Sequence, residues 1–570
     1  FATLSEHRDD AAQFWKSIAP AEAGAKAFGA GIQRVWLDGR AKVQLDRTVA
    51  HIGAPQAWEK GYKGDGVKVA VLDTGYDPNH PDLKGLIVGS ANFTTEANTD
   101  DSNGHGTHVT STVAGSGAAS GGTYKGVAPG AKILSGKVCT SDGWCDNSDI
   151  VEAMAWAAEQ GAKVISLSLG ETDTPDTDVI EAMVETVTRE HGVLVVAAAG
   201  NNGPGKVNSP ASAEGALAVG ATQIDDELAF FTAVGPRVGD FGLKPDLVAP
   251  GVGVVAARAG GTTADDGYIG MSGTSMATPH VAGAAAILFQ QHPDWTPEQV
   301  KRQLMQTTAG GFERGAYYQG AGRVDVARAV GQQVTAETTA LSFGQIRWTD
   351  GERPPVDKTL TYRNPGSEPV TLDLALNASH KAGKQPAPEG LFRLSTDKVT
   401  VPAHGTADVT LTATPEIATI YTAYSGVVTA STADKTVSVR TPLGMDVEQP
   451  AYDLRLSVKD RSGEAPDHAY LIVNSNDRQS YEVELHGKSS TVLRLPKGKT
   501  YSVGGFLFDE AYTEGTVVGV PEVALTTDRD AAIDARNAEP VTISAPSRSA
   551  RMLSNEFGTI GLSDHLFSVN

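Results

Sequence analysis

Three short segments of this 570-residue chain carry residue types that can act together in nucleophilic catalysis. Asp73 follows an apolar run, His105 lies between two glycines, and Ser275 lies among small residues. A serine hydroxyl is a weak nucleophile until a neighbouring imidazole takes its proton, and a buried carboxylate can hold that imidazole in one tautomer. The three residue types are therefore those of a nucleophile, a general base and the group that orients the base.

Each of these residues also has a simpler explanation when it is taken alone. An aspartate after a strand is usually a turn residue or a helix cap, and Ser275 has the sequence context of an N-cap. His105 and His108 are spaced i,i+3, which places both on one helical face and raises the alternative of a metal site. No glutamate lies between or near them, as metallopeptidase chemistry would require. That absence disfavours the metal site.

The elements that must position these residues alternate between apolar runs and helical stretches from about residue 64 to residue 330. Short apolar runs predict buried strands, and apolar residues at a period of 3.6 predict helices. The predicted strands are 67–72, 133–137, 164–169, 193–199 and 216–219, and the predicted helices are 149–160, 178–191, 278–291 and 296–307. The alternation predicts an α/β fold whose parallel sheet has helices on both faces. Such sheets bind ligands at the carboxyl ends of their strands, where the polar segments occur.

After about residue 335 the pattern changes to that of all-β domains. Short runs with a period of two alternate with turn clusters such as Asn364-Pro365-Gly366. We predict a β-sandwich domain resembling fibronectin type III at 335–450 and a second β-rich domain at 451–570. Neither contains a cluster of catalytic residue types, so we expect them to provide structural support or substrate docking.

The composition narrows the classes of partner. The chain has 47 basic and 68 acidic residues and a net charge of −21, which disfavours nucleic acid and anionic lipid as partners and favours a soluble monomer. No run of 18 or more apolar residues occurs, so no membrane span is predicted.

The two cysteines, Cys139 and Cys145, are close in sequence without further metal ligands nearby. A short local disulfide is the preferred interpretation, with two buried free thiols as the alternative.

Taken together, the three segments resemble the signatures of the subtilisin family of serine peptidases, in the family's order of Asp, His and Ser. The resemblance covers roughly residues 45–332 and implies a catalytic domain there. It implies that Asp73, His105 and Ser275 form the catalytic triad of a serine endopeptidase, and that His108 is a packing residue. It also implies that Asn201, which follows the strand 193–199, donates its side-chain amide to the oxyanion formed during the reaction.

The resemblance further implies how a polypeptide substrate is held. Two extended segments would pair with the substrate backbone on the acyl side of the cleaved bond, and two would line the pocket for the residue before it. The backbone-pairing segments are Gly143-Trp144-Cys145 and Ser168-Leu169-Gly170, and the pocket is lined by Ser168-Leu169-Gly170 and Ala198-Ala199-Gly200. No cofactor is implied for catalysis.

Two departures from the family pattern concern the outer rim of the cleft and calcium. Asn147 and Ile150 occupy the rim, and many relatives have an aromatic residue at the first of these positions. Asp82 matches a structural calcium ligand of many relatives, but the partner loop 115–125 lacks their asparagine. A structural calcium is therefore left open, and Asp100 and Asp101 either belong to another site or solvate a loop.

The N-terminal residues and the domain order also resemble those of secreted family members. Segments 31–38 and 45–47 resemble the end of a family propeptide, so we expect residues 1–44 to be a propeptide remnant and maturation cleavage to fall between Asp38 and Arg47. The propeptide would act as an inhibitor, and an N-terminal arm packed on the catalytic domain is the alternative.

A catalytic domain followed by β domains resembles the large extracellular subtilases of Gram-positive bacteria, including actinobacteria. Two other functions remain open: a surface-binding protein with a vestigial peptidase domain, and an exopeptidase.

Overall fold

A computed structural model of the protein describes residues 45–310, 314–380, 385–418, 420–512 and 515–539. The predicted propeptide remnant at 1–44 lies outside these residues, and so does the end of the second predicted β domain, 540–570. Within the described ranges, no helix is both long enough and apolar enough to cross a membrane.

The first part of the described chain alternates strands and helices, as the sequence pattern predicts. Its strands are β1 Lys68–Asp73, β2 Ile87–Asn92, β3 Lys132–Lys137, β4 Val164–Leu167, β5 Leu194–Ala198, β6 Leu217–Thr222, β7 Leu247–Pro250, β8 Val254–Ala257 and β9 Tyr268–Met271. Its helices are α1 Leu45–His51, α2 Ala54–Glu59, α3 His105–Ala114, α4 Asn147–Glu159, α5 Val179–His191, α6 Thr274–Gln291, α7 Pro297–Gln306, α8 Ala316–Gln319 and α9 Val326–Ala329.

Seven of these strands form a parallel sheet in the order β2-β3-β1-β4-β5-β6-β7. Val109 of α3 and Val281 of α6 pack in the core on one face, and Met154 of α4 and Val184 of α5 pack in the core on the other. Because both faces are covered, strands β4, β5 and β6 are buried at every residue rather than at alternate residues. The predicted α/β fold is confirmed.

Helix α6 begins four residues before the predicted start at residue 278. The segment before residue 278 contains Gly, Ser and Thr, which are typical of turns, and this composition led to the late prediction. In the structure the N–H of Thr274, the first helical residue, donates to the side-chain oxygen of Asn201 at 2.9 Å. The cap of α6 therefore comes from a distant loop, and Ser275 lies in the first helical turn.

The chain after residue 335 is rich in strands, as predicted. Its strands are β10 Thr335–Ala336, β11 Leu341–Ile346, β12 Val356–Asn364, β13 Val370–His380, β14 Phe392–Leu394, β15 Lys398–Val401, β16 Gly405–Ala413, β17 Ala423–Ser431, β18 Ser438–Val447, β19 Ala451–Lys459, β20 His468–Ser475, β21 Ser480–His486, β22 Ser490–Pro496, β23 Thr500–Phe508, β24 Gly515–Ala524 and β25 Arg529–Asp534. They form four sheets, β10-β12-β16-β14, β11-β18-β17-β13-β15, β22-β19-β25 and β21-β20-β23-β24. Buried side chains form one core cluster between residues 334 and 447 and another between residues 454 and 535.

Candidate active site

The carboxyl edge of the parallel sheet brings the ends of β1 and β4 together. These strands are neighbours, and Leu72 pairs with Leu167. The residues that follow are Asp73, the last of β1, and Ser168, the first after β4, at the ends of two strands that lie about 4.8 Å apart. These two residues form hydrogen bonds to two side chains, those of His105 and Ser275.

Asp73 holds the first of them, His105. The Nδ1–H of His105, the first residue of α3, donates to Asp73 Oδ1 at 2.7 Å. Asp73 is only 2% exposed, and the same oxygen accepts the N–H of Thr74 at 2.8 Å. Because a carboxylate only accepts, the proton of neutral His105 lies on Nδ1, and Nε2 keeps its lone pair. This is the tautomer that a general base requires.

Two glycines allow α3 to approach the turn after β1 closely enough for this contact. A Cβ atom added to Gly106 would lie 2.2 Å from the carbonyl oxygen of Gly75, which is far inside contact distance. Gly75 has a φ of 106°, a conformation that other residues rarely adopt. Any side chain at position 106 would push His105 away from Asp73.

Asp101 holds the same two segments together, and the sequence analysis did not assign it to the site. Its buried carboxylate accepts the N–H groups of Gly104 at 2.7 Å and Thr107 at 2.8 Å, and the hydroxyls of Thr107 at 2.7 Å and Thr74 at 2.8 Å. It thus caps the N-terminus of α3 and ties it to the residue after Asp73. The available signal was an aspartate shortly before a helix that begins with His105-Gly106 and has Gly104 as its N-cap.

Ser168 holds the second side chain, that of Ser275, through two reciprocal hydrogen bonds. Ser275 Oγ donates to the carbonyl oxygen of Ser168 at 3.0 Å, and Ser168 Oγ donates to the carbonyl oxygen of Ser275 at 2.9 Å. The second bond has a local cause. Pro279 has no N–H to give to the carbonyl four residues earlier, and that carbonyl belongs to Ser275.

Asn201 lies beside Ser275 with its amide oriented by Thr274. Its side-chain oxygen accepts both the N–H and the hydroxyl of Thr274, at 2.9 Å and 3.0 Å. The amide nitrogen of Asn201 is consequently directed away from Thr274. The N–H of Ser275 belongs to the first turn of α6, where helices leave donors unpaired. These two donors suit a developing negative charge, and Thr274 is a site residue that the sequence analysis missed.

The electrostatic setting of the two neighbouring histidines differs. Burial lowers the pKa of His105, but the charge of Asp73 and its hydrogen bond outweigh burial, so the pKa lies above its ordinary value. Burial lowers the pKa of His108 to about 4, and its Nε2 lies 2.9 Å from the carbonyl oxygen of Val254. His108 is a neutral core residue.

The segment Gly143–Cys145 lies in a short loop closed by a disulfide between Cys139 and Cys145, which confirms the predicted bridge. The N–H of Cys139 donates to the carbonyl oxygen of Asp73 at 3.1 Å, so this loop begins directly beside β1. Trp144 at the tip is 77% exposed. Among the other predicted substrate-contacting residues, Ser168, Ala198, Ala199 and Gly200 are buried, Leu169 is half-buried and Gly170 is exposed.

The residues around Asp82 do not fit the calcium ion that the family resemblance raises. The Tyr268 hydroxyl shares its one proton between the two carboxylate oxygens of Asp82, at 3.0 Å and 2.8 Å, and the N–H of Ala119 donates to one of them at 2.9 Å. These two donors use lone pairs of Asp82 that a cation would need, and a calcium ion requires several further oxygen ligands. Over the described ranges, no group of three or more His, Cys, Asp or Glu side chains is placed to hold a metal ion.

Comparisons with known proteins identify relatives of the first part of this chain. Residues 64–337 match the sequence profile of the subtilase family. Over 260 residues, 45% of this chain, the sequence is 42% identical to subtilisin Savinase of Lederbergia lenta and covers 89% of that protein. It is 41% identical to M-protease of Shouchella clausii, covering 46% of this chain and 64% of the relative. It is 36% identical to serine protease AprX of Bacillus subtilis, covering 52% of this chain and 74% of the relative.

Proposed function

This chain belongs to the subtilase family of serine peptidases, and on that premise we propose that it hydrolyses internal peptide bonds of proteins through an acyl-enzyme intermediate. Ser275 is the nucleophile, His105 the general base and Asp73 the carboxylate that orients the base. The observation that carries this proposal is the 2.7 Å hydrogen bond between His105 and buried Asp73, beside the residue that holds Ser275.

The reaction begins when Ser275 Oγ turns from the Ser168 carbonyl toward Nε2 of His105. Hydrogen bonds of this kind often form only once substrate is bound. As Oγ attacks the substrate carbonyl carbon, its proton passes to Nε2, and Asp73 stabilises the imidazolium. The amide of Asn201 and the N–H of Ser275 donate to the oxyanion. His105 then gives the proton to the departing amine as the C–N bond breaks. A water molecule next gives a proton to His105 and attacks the acyl carbon, and His105 returns that proton to Ser275 Oγ as the ester bond breaks.

Substrate binding in this proposal uses the two segments Gly143–Cys145 and Ser168–Gly170. An extended peptide pairs its backbone with both segments, which accounts for tolerance of many sequences. The pocket for the residue before the cleaved bond is lined by Ser168–Gly170 and Ala198–Gly200. Each catalytic step is carried by side chains and backbone groups of this chain.

Chromogenic peptides with blocked and free N-termini test this function against its two alternatives. We expect hydrolysis of N-blocked peptides at internal bonds, because the proposed cleft binds backbone rather than a terminal amine. An exopeptidase would cleave only peptides with a free N-terminus. A binding protein with a vestigial peptidase domain would cleave neither set.

The raised pKa of His105 predicts the pH dependence of hydrolysis. Only neutral His105 can accept the proton of Ser275, so kcat/KM rises as pH increases through the pKa of the histidine. Because Asp73 holds that pKa above the ordinary value of about 6.5, we expect the acid limb to have its midpoint above pH 6.5. A profile of kcat/KM against pH measures the midpoint, and a value below 6.5 would contradict the electrostatic role of Asp73.

Opening the Cys139–Cys145 bridge is expected to weaken peptide binding. The bridge orders the loop that carries Gly143–Cys145 before substrate binds. Without the bridge, binding must order that loop at a cost of roughly 0.5–1.5 kcal/mol per side chain, so KM should rise about 2- to 10-fold. Steady-state kinetics of the double variant Cys139→Ser/Cys145→Ser give this comparison. Thiol treatment of the wild type should reproduce the change. Unchanged kinetics, once mass spectrometry has verified that the bridge is reduced, would contradict a role of the bridge in peptide binding.

Three further proposals concern the localisation of the protein, its maturation and its β domains. The disulfide supports a secreted protein, since disulfides persist in oxidising compartments. We retain maturation between Asp38 and Arg47 with the propeptide as inhibitor, for which N-terminal sequencing of the mature protein is the test. The boundaries at residues 335 and 451 and the supporting or docking role of the β domains also remain proposals.

A further inference from the structure

A side-chain hydrogen bond crosses the outer end of the proposed substrate cleft. Asn147 follows the segment Gly143–Cys145 by two residues, and Glu171 directly follows the segment Ser168–Gly170. The amide nitrogen of Asn147 donates to Glu171 Oε1 at 2.9 Å; Asn147 is half-buried and Glu171 is exposed. The two walls of the cleft are thus joined through a carboxylate.

The distance along the chain from Ser275 places Glu171 beside a particular substrate residue. Ser168, which holds Ser275 Oγ, and Glu171 are three residues apart, or about 10 Å in extended backbone. A substrate strand lying along this wall also rises about 3.3 Å per residue. If the residue before the cleaved bond is level with Ser168, the fourth residue before the bond is level with Glu171.

The backbone of Glu171 is held in place, and its carboxylate is free to pair with a cation of the substrate. Glu171 exchanges two backbone hydrogen bonds with Ser209, each of 3.0 Å. In the part of the chain that the structure describes, no lysine or arginine forms an ion pair with Glu171; its side chain has the neutral partner Asn147. A cationic group arriving at the outer cleft therefore meets a positioned carboxylate that no lysine or arginine of the described residues pairs with.

The surroundings reinforce the negative potential. Residues 138–162 include the wall at Gly143–Cys145 and contain five acidic residues. Residues 164–188 include the wall at Ser168–Gly170 and contain six. Neither range contains a lysine or an arginine. Burial, and then the charges of Asp146 and Glu152, raise the pKa of Asp149 near Asn147. Such a cleft attracts cationic peptides in preference to anionic ones.

We propose that Glu171 is a specificity-determining residue that selects lysine or arginine at the fourth position before the cleaved bond. This inference rests on the proposed endopeptidase function and names its substrate class, peptides that are basic on the acyl side. The cation pairs with Glu171 in place of, or in addition to, the amide of Asn147. Lysine and arginine both reach from an extended backbone to an exposed carboxylate.

A pair of N-blocked chromogenic peptides that differ only at that position provides the test. One peptide carries lysine and the other norleucine, which has a similar chain length without charge. We expect the wild type to prefer the lysine peptide about 3- to 5-fold in kcat/KM at low ionic strength, the range of an exposed ion pair, with a smaller ratio in salt. Glu171→Gln is expected to bring the ratio close to one.

Glu159→Gln is the matched control, because it removes the same charge from the far end of α4, about 18 Å along the helix from Asn147. We expect it to keep the wild-type ratio. Asn147→Ala should keep or raise the ratio, because it frees the carboxylate. A ratio near one in the wild type, a ratio unchanged in Glu171→Gln, or equal losses in Glu171→Gln and Glu159→Gln would overturn the inference. Failure of the wild type to cleave either peptide would instead refute the proposed function.

Discussion

Replacing Ser275 with alanine is expected to lower kcat for peptide hydrolysis by about 10⁶-fold, the size of the effect known for the matching serine of subtilisin, a member of this family. The alanine has no oxygen to attack the substrate, so His105 has no serine proton to accept. The proposed oxyanion donors, the amide of Asn201 and the backbone N–H of residue 275, remain. Residual hydrolysis above the uncatalysed rate is therefore expected, and KM should change little.

Ser272→Ala serves as the control for this variant. Ser272 is exposed, precedes α6 and accepts the N–H of Gly253 at 2.9 Å, so it shares the loop but not the proposed chemistry. We expect Ser272→Ala to keep activity within a few fold. Thermal unfolding of both variants shows whether the fold is retained. Hydrolysis by folded Ser275→Ala at the wild-type rate would refute the assignment of the nucleophile.

Replacing Asp73 with asparagine is expected to lower kcat by about 10⁴-fold, the scale of the loss when a triad carboxylate becomes an amide. If the amide oxygen takes the place of Oδ1, His105 keeps its hydrogen bond but loses the charge that stabilises the imidazolium. If the amide nitrogen takes that place, it faces the N–H of Thr74 and forces the wrong tautomer on His105. The other carboxylate oxygen is buried without a partner among the described residues, so neither orientation satisfies both amide atoms.

The pH profile separates this electrostatic role from a merely structural one. Without the charge of Asp73, burial dominates the pKa of His105, so the acid limb of residual activity should move to lower pH. Asp100→Asn is the control, because Asp100 lies in the same region but is exposed. We expect it to leave both the rate and the acid limb close to wild type. An acid limb in Asp73→Asn that stays at the wild-type pH would contradict the proposed role.

Much of the fold was predictable because its strands are buried on both faces and so appear as continuous apolar runs. The predicted strand 133–137 is found as β3 Lys132–Lys137, and the predicted helix 178–191 is found as α5 Val179–His191. The identities of Asp73, His105 and Ser275 came from short motifs in which the reactive residue is flanked by small residues. Local sequence carries this information because glycine and small side chains are required wherever backbone segments approach closely.

The contacts that position those residues depended on the folded chain. Ser275 exchanges hydrogen bonds with Ser168, 107 residues away, and α6 is capped by Asn201, 73 residues before it. The Asn147–Glu171 hydrogen bond likewise joins two loops that have no sequence pattern in common. No periodicity or local motif encodes such pairs, because side chains far apart in sequence meet only after the parallel strands have brought their carboxyl ends to one edge. The local sequence thus specified which residues could react, and the tertiary structure decided how they are oriented.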